Sequence, residues 1–353
     1  VTDGTTWPEV LHRLLAGQDL SADEAAWAMD QVMTGQAAPA QLAGFLIGLR
    51  AKGESVSEMR GLADMMLAHA HRFEVDGPSL DIVGTGGDRS HTVNISSMSC
   101  IVAAAAGVPV VKHGNRAASS SSGSADMLEA LGVRLDLTPE QVAATHARCG
   151  ITFCFAQTFH PSMRHAAVVR RELGVATAFN FLGPLTNPAQ PRYAAVGVAD
   201  ARMAPLMAGV FAERGRRAVV FRGDDGLDEV SPAGSSRVWW VDGASVRELS
   251  LTPEAVGLPR HTVAELRGGD GRHNADVARR VFAGEQGPVR DAVLLNAGTA
   301  LAVVAAGEGG QDPRDDEELA AAVRVGIERA AVAIDSGAAT RLVEDWVRVT
   351  TEA

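Results

Sequence analysis

A short apolar run, a glycine loop, a helix and a second apolar run, within about thirty residues, constrain this chain more than any other feature. Leu80-Asp81-Ile82-Val83 has the length and composition of a buried strand, and Gly84-Thr85-Gly86-Gly87-Asp88 follows it directly. Residues Ser96 to Ala106 can form a helix, and Val108-Pro109-Val110-Val111 reads as a second strand. A unit of this size predicts a right-handed crossover in a mostly parallel sheet. Further buried strands are expected at Ile151-Thr152-Phe153, Ala218-Val219-Val220-Phe221 and Ala292-Val293-Leu294-Leu295. Helices are expected between them over Ser124 to Leu131, Ser162 to Leu173 and Leu319 to Ser336, which makes the larger part of the chain α/β. Gly268-Gly269-Asp270-Gly271 and Gly307 to Asp315 read as flexible surface connections.

The first seventy or so residues have a different texture, with apolar positions at helical spacing and no strand-like alternation. They predict four short helices. Ser21 with Glu24, and Ser55 with Glu58, have the spacing at which each side chain satisfies the other's free backbone donor at a helix start, while Gly35 and Gly53 are suitable stops. With 353 residues, two units are expected: a small helical domain over 1–75, joined by helices from about 160–186, and an α/β domain over 76–353.

Composition narrows the class. Hydrophobic residues at 46% and charged residues at 21% describe a folding globular chain. A net charge of -11 opposes binding to nucleic-acid phosphates, so no nucleic-acid partner is expected. Cys100, Cys149 and Cys154 form no CxxC pair, and an odd number in so long a chain suits a reducing, cytoplasmic setting. The apolar run at Ile101–Ala106 falls far short of a bilayer span, and neither a membrane association nor an export signal is expected.

The chemistry gathers around the glycine loop. Lying between a strand and a helix start, its backbone N–H groups can approach phosphate oxygens closely, and the helix N-terminus favours anions. Asn94, Ser96 and Ser97 add donors there. The loop is neither G-x-G-x-x-G nor a P-loop ending in Gly-Lys-Ser or Gly-Lys-Thr, which disfavours dinucleotide binding and nucleotide hydrolysis. After the second strand come Lys112-His113-Gly114-Asn115-Arg116 and the serine-rich run from Ser119 to Ser124, at the strand end where open α/β sheets bind ligands. Asp228 and Glu229 are adjacent carboxylates that could equally be a surface acidic turn. His160 with His165, and His69 with His71, lack partners at zinc spacing and read as structural or surface residues.

The run from Asp81 to Leu131 resembles the anthranilate phosphoribosyltransferase family of tryptophan biosynthesis. The similarity continues in order through Gly35 to Gly53, His160–His165, Arg170–Gly174, Phe179–Pro188 and Asp225–Glu229. The resemblance implies transfer of the phosphoribosyl group of phosphoribosyl pyrophosphate to the amine of anthranilate, with release of pyrophosphate. It implies that Gly84, Gly87, Asp88, Thr92, Asn94, Ser96, Ser97, Lys112, Ser120 and Ser124 surround the donor, and that Gly84, His113, Asn115 and Arg170 meet anthranilate. Arg170 also suits a carboxylate on physical grounds, since its guanidinium is planar and bidentate. Magnesium would be held by Ser96, Asp228 and Glu229, and Lys112, Asp228 and Glu229 would carry the catalysis. A homodimer through the helical domain is also implied. Ser121 stands where the family often has a basic residue, which puts one phosphate contact in question. Two other readings share the architecture, a pyrimidine nucleoside phosphorylase and a non-catalytic nucleic-acid-binding relative. The Lys112–Arg116 run and the Asp228-Glu229 pair argue against the first; the net charge and the retained carboxylates argue against the second.

Overall fold

The computed structural model describes residues 4–117 and 122–353. Four helices come first: α1 (Trp7–Leu15), α2 (Ala22–Met33), α3 (Pro39–Lys52) and α4 (Val56–Ala68). Ser21 and Ser55 start α2 and α4 as reciprocal caps, with the N–H of Glu24 and of Glu58 each donating to the serine hydroxyl at 3.2 Å. Both glutamates return the bond to the serine N–H at 2.8 Å. Gly53 ends α3 at φ 93°, a conformation in the left-handed range that glycine tolerates.

The α/β part runs β1 (Leu80–Gly84), α5 (Ile95–Ala105), β2 (Val110–Gly114), α6 (Ser124–Leu131), α7 (Pro139–Cys149) and β3 (Ile151–Phe155). Then come α8 (Ala156–Phe159), α9 (Arg164–Leu173), β4 (Tyr193–Gly197), α10 (Met203–Glu213), β5 (Arg217–Gly223), β6 (Ser236–Asp242) and β7 (Val246–Leu251). Four helices close the chain: α11 (Gly271–Phe282), α12 (Pro288–Gly307), α13 (Asp316–Asp335) and α14 (Ala338–Glu352). The strands form one sheet in the order β3-β2-β1-β4-β5-β6-β7, parallel from β3 to β5 and antiparallel across β5-β6-β7.

Burial alternates along each central strand, as the pleat requires. Val219 and Phe221 of β5 enter the core formed with α5, α12 and α13, while Ala218 and Val220 enter the core shared with α10 and the N-terminal helices. Trp240 and Trp239 of β6 divide in the same way. The helical bundle is therefore seated on one face of the sheet, through α4 against α10.

Three features differ from the sequence-based expectations. Ala292 to Leu295 is not a strand but lies inside α12, whose residues are buried on nearly all sides. Periodicity cannot separate such a helix from a buried strand. This helix is also long and apolar enough to cross a membrane by length and composition, but it is packed within the core against α5 and α13. The sheet also holds β4, β6 and β7 beyond the expected strands; in β4 Tyr-Ala-Ala-Val-Gly is short and alanine-rich, and β6 is buried on both faces without alternation. Finally, Gly268 to Gly271 is not a free connection: Gly268 N–H donates to His91 O at 2.8 Å, Asp270 caps α11, and Gly271 begins it.

The crossing of α12 and α13 depends on two glycines. A β-carbon on Gly326 would overlap the carbonyl oxygen of Gly298, and one on Gly298 would meet the Ile327 backbone nitrogen at 2.8 Å. Gly326→Ala should destabilise the protein by about 1–3 kcal/mol through overpacking, outweighing the roughly 1 kcal/mol that alanine gains in helix propensity. A lower urea midpoint would show this, and an unchanged midpoint would contradict the close crossing.

Candidate active site

The site is built at the carboxyl ends of β1, β2, β4 and β5. Gly84 and Gly197 face each other as the last paired residues of β1 and β4. The loop that follows β5 lies over both. A β-carbon at Gly84 would collide with the Asp228 carboxylate, and one at Gly197 with the Asp228 carbonyl oxygen. Two glycines at these strand ends thus admit Asp228 onto the glycine loop, where Gly86 N–H donates to Asp228 Oδ2 at 2.7 Å. Glu229 meets the other end of the same unit: its Oε1 accepts from Ser96 Oγ at 2.5 Å and from Ser96 N–H at 3.1 Å, in the first turn of α5.

Glu229 Oε2 is buried without a hydrogen-bond partner among the described residues. Burial pushes the Asp228 carboxyl well above the usual carboxylate range, and the charge of Asp88 adds to it. Burial and then Asp228 do the same to Glu229, against the Ser96 hydroxyl and the Lys112 ammonium. Crowded carboxylates with a spare buried oxygen beside a serine hydroxyl fit a hard divalent cation. Among the described residues no three His, Cys, Asp or Glu side chains gather into a metal cage. Magnesium is commonly held by one or two carboxylates together with substrate phosphates.

The loop from Gly84 to Asn94 is unusually shaped. Gly86 and Gly87 have positive φ, and so do the non-glycines Arg89 (59°) and His91 (52°), a geometry that costs of order 1 kcal/mol or more each. Neighbouring contacts hold it. Thr92 bridges to Arg267, Val93 N–H donates to Leu266 O at 2.9 Å, and Asp88 Oδ1 accepts from Ser90 N–H at 3.2 Å. Asn94 Nδ2 donates to Ser122 O at 3.2 Å, while Asn94 Oδ1 accepts from Ser122 Oγ at 3.3 Å and from Asn274 Nδ2 at 2.8 Å. Its side chain thereby ties the glycine loop to the serine loop and to α11. Ser97 is buried one residue beyond Ser96.

Lys112 is buried, with Nζ donating to Ile82 O at 2.7 Å. His113 is buried beside His160, its ring centroid 5.2 Å away. Its Nδ1 lies 2.9 Å from Gly183 O, so Nδ1 carries the proton and Nε2, which has no partner among the described residues, is a bare acceptor. Burial, and then His160, lower its pKa to about 3. Asn115 O receives the Ser124 hydroxyl at 3.3 Å, which closes the serine loop onto β2. Arg170 stands on α9, its guanidinium 5.9 Å from the centre of the Phe179 ring, and makes no ion pair among the described residues. Burial lowers its pKa. Ser120 and Ser121 lie outside the described residues. A cavity of about 250 Å³ around Arg214, Arg216 and Leu185 reaches Asp81 and Asn187 but is lined by none of the expected ligand-binding residues.

Residues 76–340 match the a/b domain of a glycosyl transferase family, and residues 8–70 match that family's helical bundle domain. The chain is 61% identical over 346 residues to an anthranilate phosphoribosyltransferase of Nocardioides sp., covering 98% of this chain and 99% of the relative. The chain belongs to the anthranilate phosphoribosyltransferase family. The Thermus thermophilus enzyme superposes with a TM-score of 0.88 at 41% identity, over 97% of this chain and 99% of that one. The Saccharomyces cerevisiae enzyme in complex with PRPP and Mg gives a TM-score of 0.88 at 27% identity, with 99% of each chain covered. The same yeast enzyme in complex with 4-fluoroanthranilate gives 0.85 at 26%, over 98% of each.

The geometry also brings in residues that sequence reasoning passed over: Asn274, Asp81, Asn187 and Gly197. Asp81 carried a signal as a charge within an apolar run and Gly197 as a glycine ending one, and Asp81 and Asn187 lie inside the stretches that carry the family resemblance, but none of the four had a role assigned to it.

Raised carboxyl pKa values fix a sign. Asp228 and Glu229 favour the protonated form in the fold, so their contribution to stability is present at low pH and is lost as pH rises through their elevated folded-state range. In metal-free protein at pH 8, Asp228→Asn with Glu229→Gln should raise the unfolding midpoint by about 2 °C or more, the shift that roughly 1 kcal/mol produces. The gain should shrink towards pH 5. A lower midpoint for the double variant at pH 8 would contradict the crowding.

Proposed function

We propose that this chain transfers the phosphoribosyl group of phosphoribosyl pyrophosphate to the amine of anthranilate, giving N-(5-phosphoribosyl)anthranilate and pyrophosphate, a step of tryptophan biosynthesis. The observation that carries this reading is the seating of Asp228 and Glu229 on the two ends of one phosphate-binding unit, at Gly86 and Ser96. The donor's diphosphate would lie along the amides of Gly84, Gly87 and Asp88 and reach Thr92, Asn94, Ser96, Ser97, Ser120 and Ser124. Asp228, Glu229 and the Ser96 hydroxyl would hold magnesium, which would supply charge stabilisation for the departing diphosphate.

The remaining work falls to the protein's own groups. Lys112 adds a fixed positive charge beneath the leaving group, and prearranged charges of this kind cost no reorganisation during reaction. Arg170 would take the anthranilate carboxylate, and its partly desolvated guanidinium, without an ion pair among the described residues, supports that role. His113 and Asn115 would line the acceptor side with Gly84. A histidine with a pKa of about 3 is a weak base, so Nε2 orients the aromatic amine by accepting its N–H. The amine is already neutral at pH 7, and the rest of the rate comes from holding it against the anomeric carbon.

The helical unit, 1–75 with helices from 160–186, would close over the α/β unit, 76–353, and shield the donor from water. It would also form a homodimer. Leu15 of α1, Ile47 of α3 and Val168 of α9 are exposed on helices that pack together, α1 on α3 and α3 on α9. Light scattering should give about twice the 36.8 kDa chain mass, and a monomer at micromolar concentration would refute the dimer. The free thiols of Cys100, Cys149 and Cys154 suit a cytoplasmic setting.

Anthranilate fluorescence should fall when phosphoribosyl pyrophosphate and magnesium are added. Asp228→Ala with Glu229→Ala should abolish that loss while the protein stays folded. Phosphorolysis of nucleosides without anthranilate turnover would overturn the assignment.

A further inference from the structure

The β1–β2 ladder is cut short. Leu80 pairs with Val110, and its N–H donates to Pro109 O at 2.9 Å. A parallel ladder continuing in that register would next join Ile82 N–H to Val111 O and His113 N–H to Ile82 O. Side chains take up three of the four backbone groups so freed. His113 N–H donates to Asp81 Oδ1 at 3.1 Å, Val111 O accepts from Asn187 Nδ2 at 2.8 Å, and Ile82 O accepts from Lys112 Nζ at 2.7 Å. On either side of this gap the ladders run on intact, with five pairs between β1 and β4 and five between β2 and β3.

The group filling the gap is closed on itself. Asn187 Nδ2 donates to Asp81 Oδ2 as well as to Val111 O, both at 2.8 Å, and Asn187 Oδ1 accepts from Ala189 N–H at 3.1 Å. Asp81, Lys112 and Asn187 are each 5% exposed or less. Burying a carboxylate and an ammonium among strand backbones is costly unless every bond is made, and a chain seeking stability alone would continue the ladder. The glycine loop leaves the end of β1 above the gap, and the last residues of β2, His113 and Gly114, lead there into Asn115.

We propose that Asp81 and Asn187 are positioning residues for the transfer: they hold β1 and β2 apart and seat Lys112 between them, setting the spacing of the glycine loop and the end of β2 from His113 to Asn115. Neither touches a substrate; they act through Lys112 and the backbone of His113. The inference rests on the phosphoribosyl-transfer reading, which turnover by the unaltered protein decides separately.

Steady-state kinetics on Asn187→Ala and Asp81→Asn, with rates divided by the folded fraction from near-ultraviolet circular dichroism, test this. Asn187→Ala should lower kcat by about 100-fold, the scale on which small misplacements of reacting groups act, with a smaller change in either KM. Asp81→Asn keeps an acceptor for His113 N–H and should lose roughly tenfold. A merely structural pair would lower the folded fraction and leave kcat per folded molecule unchanged. That outcome in both variants overturns the proposal. Should Asn187→Ala fail to fold, Asp81→Asn and residue-resolved hydrogen exchange on the unaltered protein decide it. His113 N–H, which has no ladder partner, should be protected, and exchange at the rate of a free peptide would overturn the wedge.

Discussion

Asp228 reaches the glycine loop because two neighbouring strands end in glycine, and the rest of the site is arranged around that contact. Gly84 and Gly197 lie side by side at the ends of β1 and β4, and a β-carbon on either would strike Asp228. With both absent, the loop after β5 drops onto the strand ends. Gly86 N–H binds one carboxylate, and Ser96 at the start of α5 binds the next. The two acids are buried beside Asp88, and their mutual repulsion is what a cation and a diphosphate would relieve together. Pre-gathered charge of this kind is costly to the metal-free fold and useful to the loaded one.

The architecture supplies the rigidity this needs. The apolar α12 runs beneath β1, β4 and β5 and packs on α5, so the strand ends and the α5 N-terminus share one core. Asn296 on that helix donates to Val230 O at 3.0 Å and accepts from Val230 N–H at 2.9 Å, fixing the chain just beyond Glu229. On the other face the helical bundle joins the sheet through α10, which brings α9 and Arg170 into the same molecule-wide frame. Between β1 and β2 the frame is open, and Lys112 occupies the opening.

Much of this was legible in local sequence. The β1–loop–α5 unit, the capped helices at Ser21 and Ser55, and the mostly parallel sheet follow from short-range rules of burial and capping. What escaped was whatever depends on a distant partner. Glu229 lies 133 residues from Ser96, and no spacing rule connects them; only the family resemblance suggested the pairing. Asn274 looks like any polar residue at the start of a helix until its amide is found on Asn94. Asp81 reads as an interruption in a strand, although it replaces a ladder bond. Ala292 to Leu295 misled for the opposite reason, since a helix buried on all sides shows no periodicity.

The central claim is that one glycine loop and two remote carboxylates form a single diphosphate and magnesium site. Diffraction from crystals grown with phosphoribosyl pyrophosphate and magnesium tests it most directly. The account predicts a cation held by Asp228, Glu229 and the Ser96 hydroxyl, sharing oxygens with a diphosphate that lies on the amides from Gly84 to Asp88. A bound diphosphate whose cation touches neither carboxylate would contradict it.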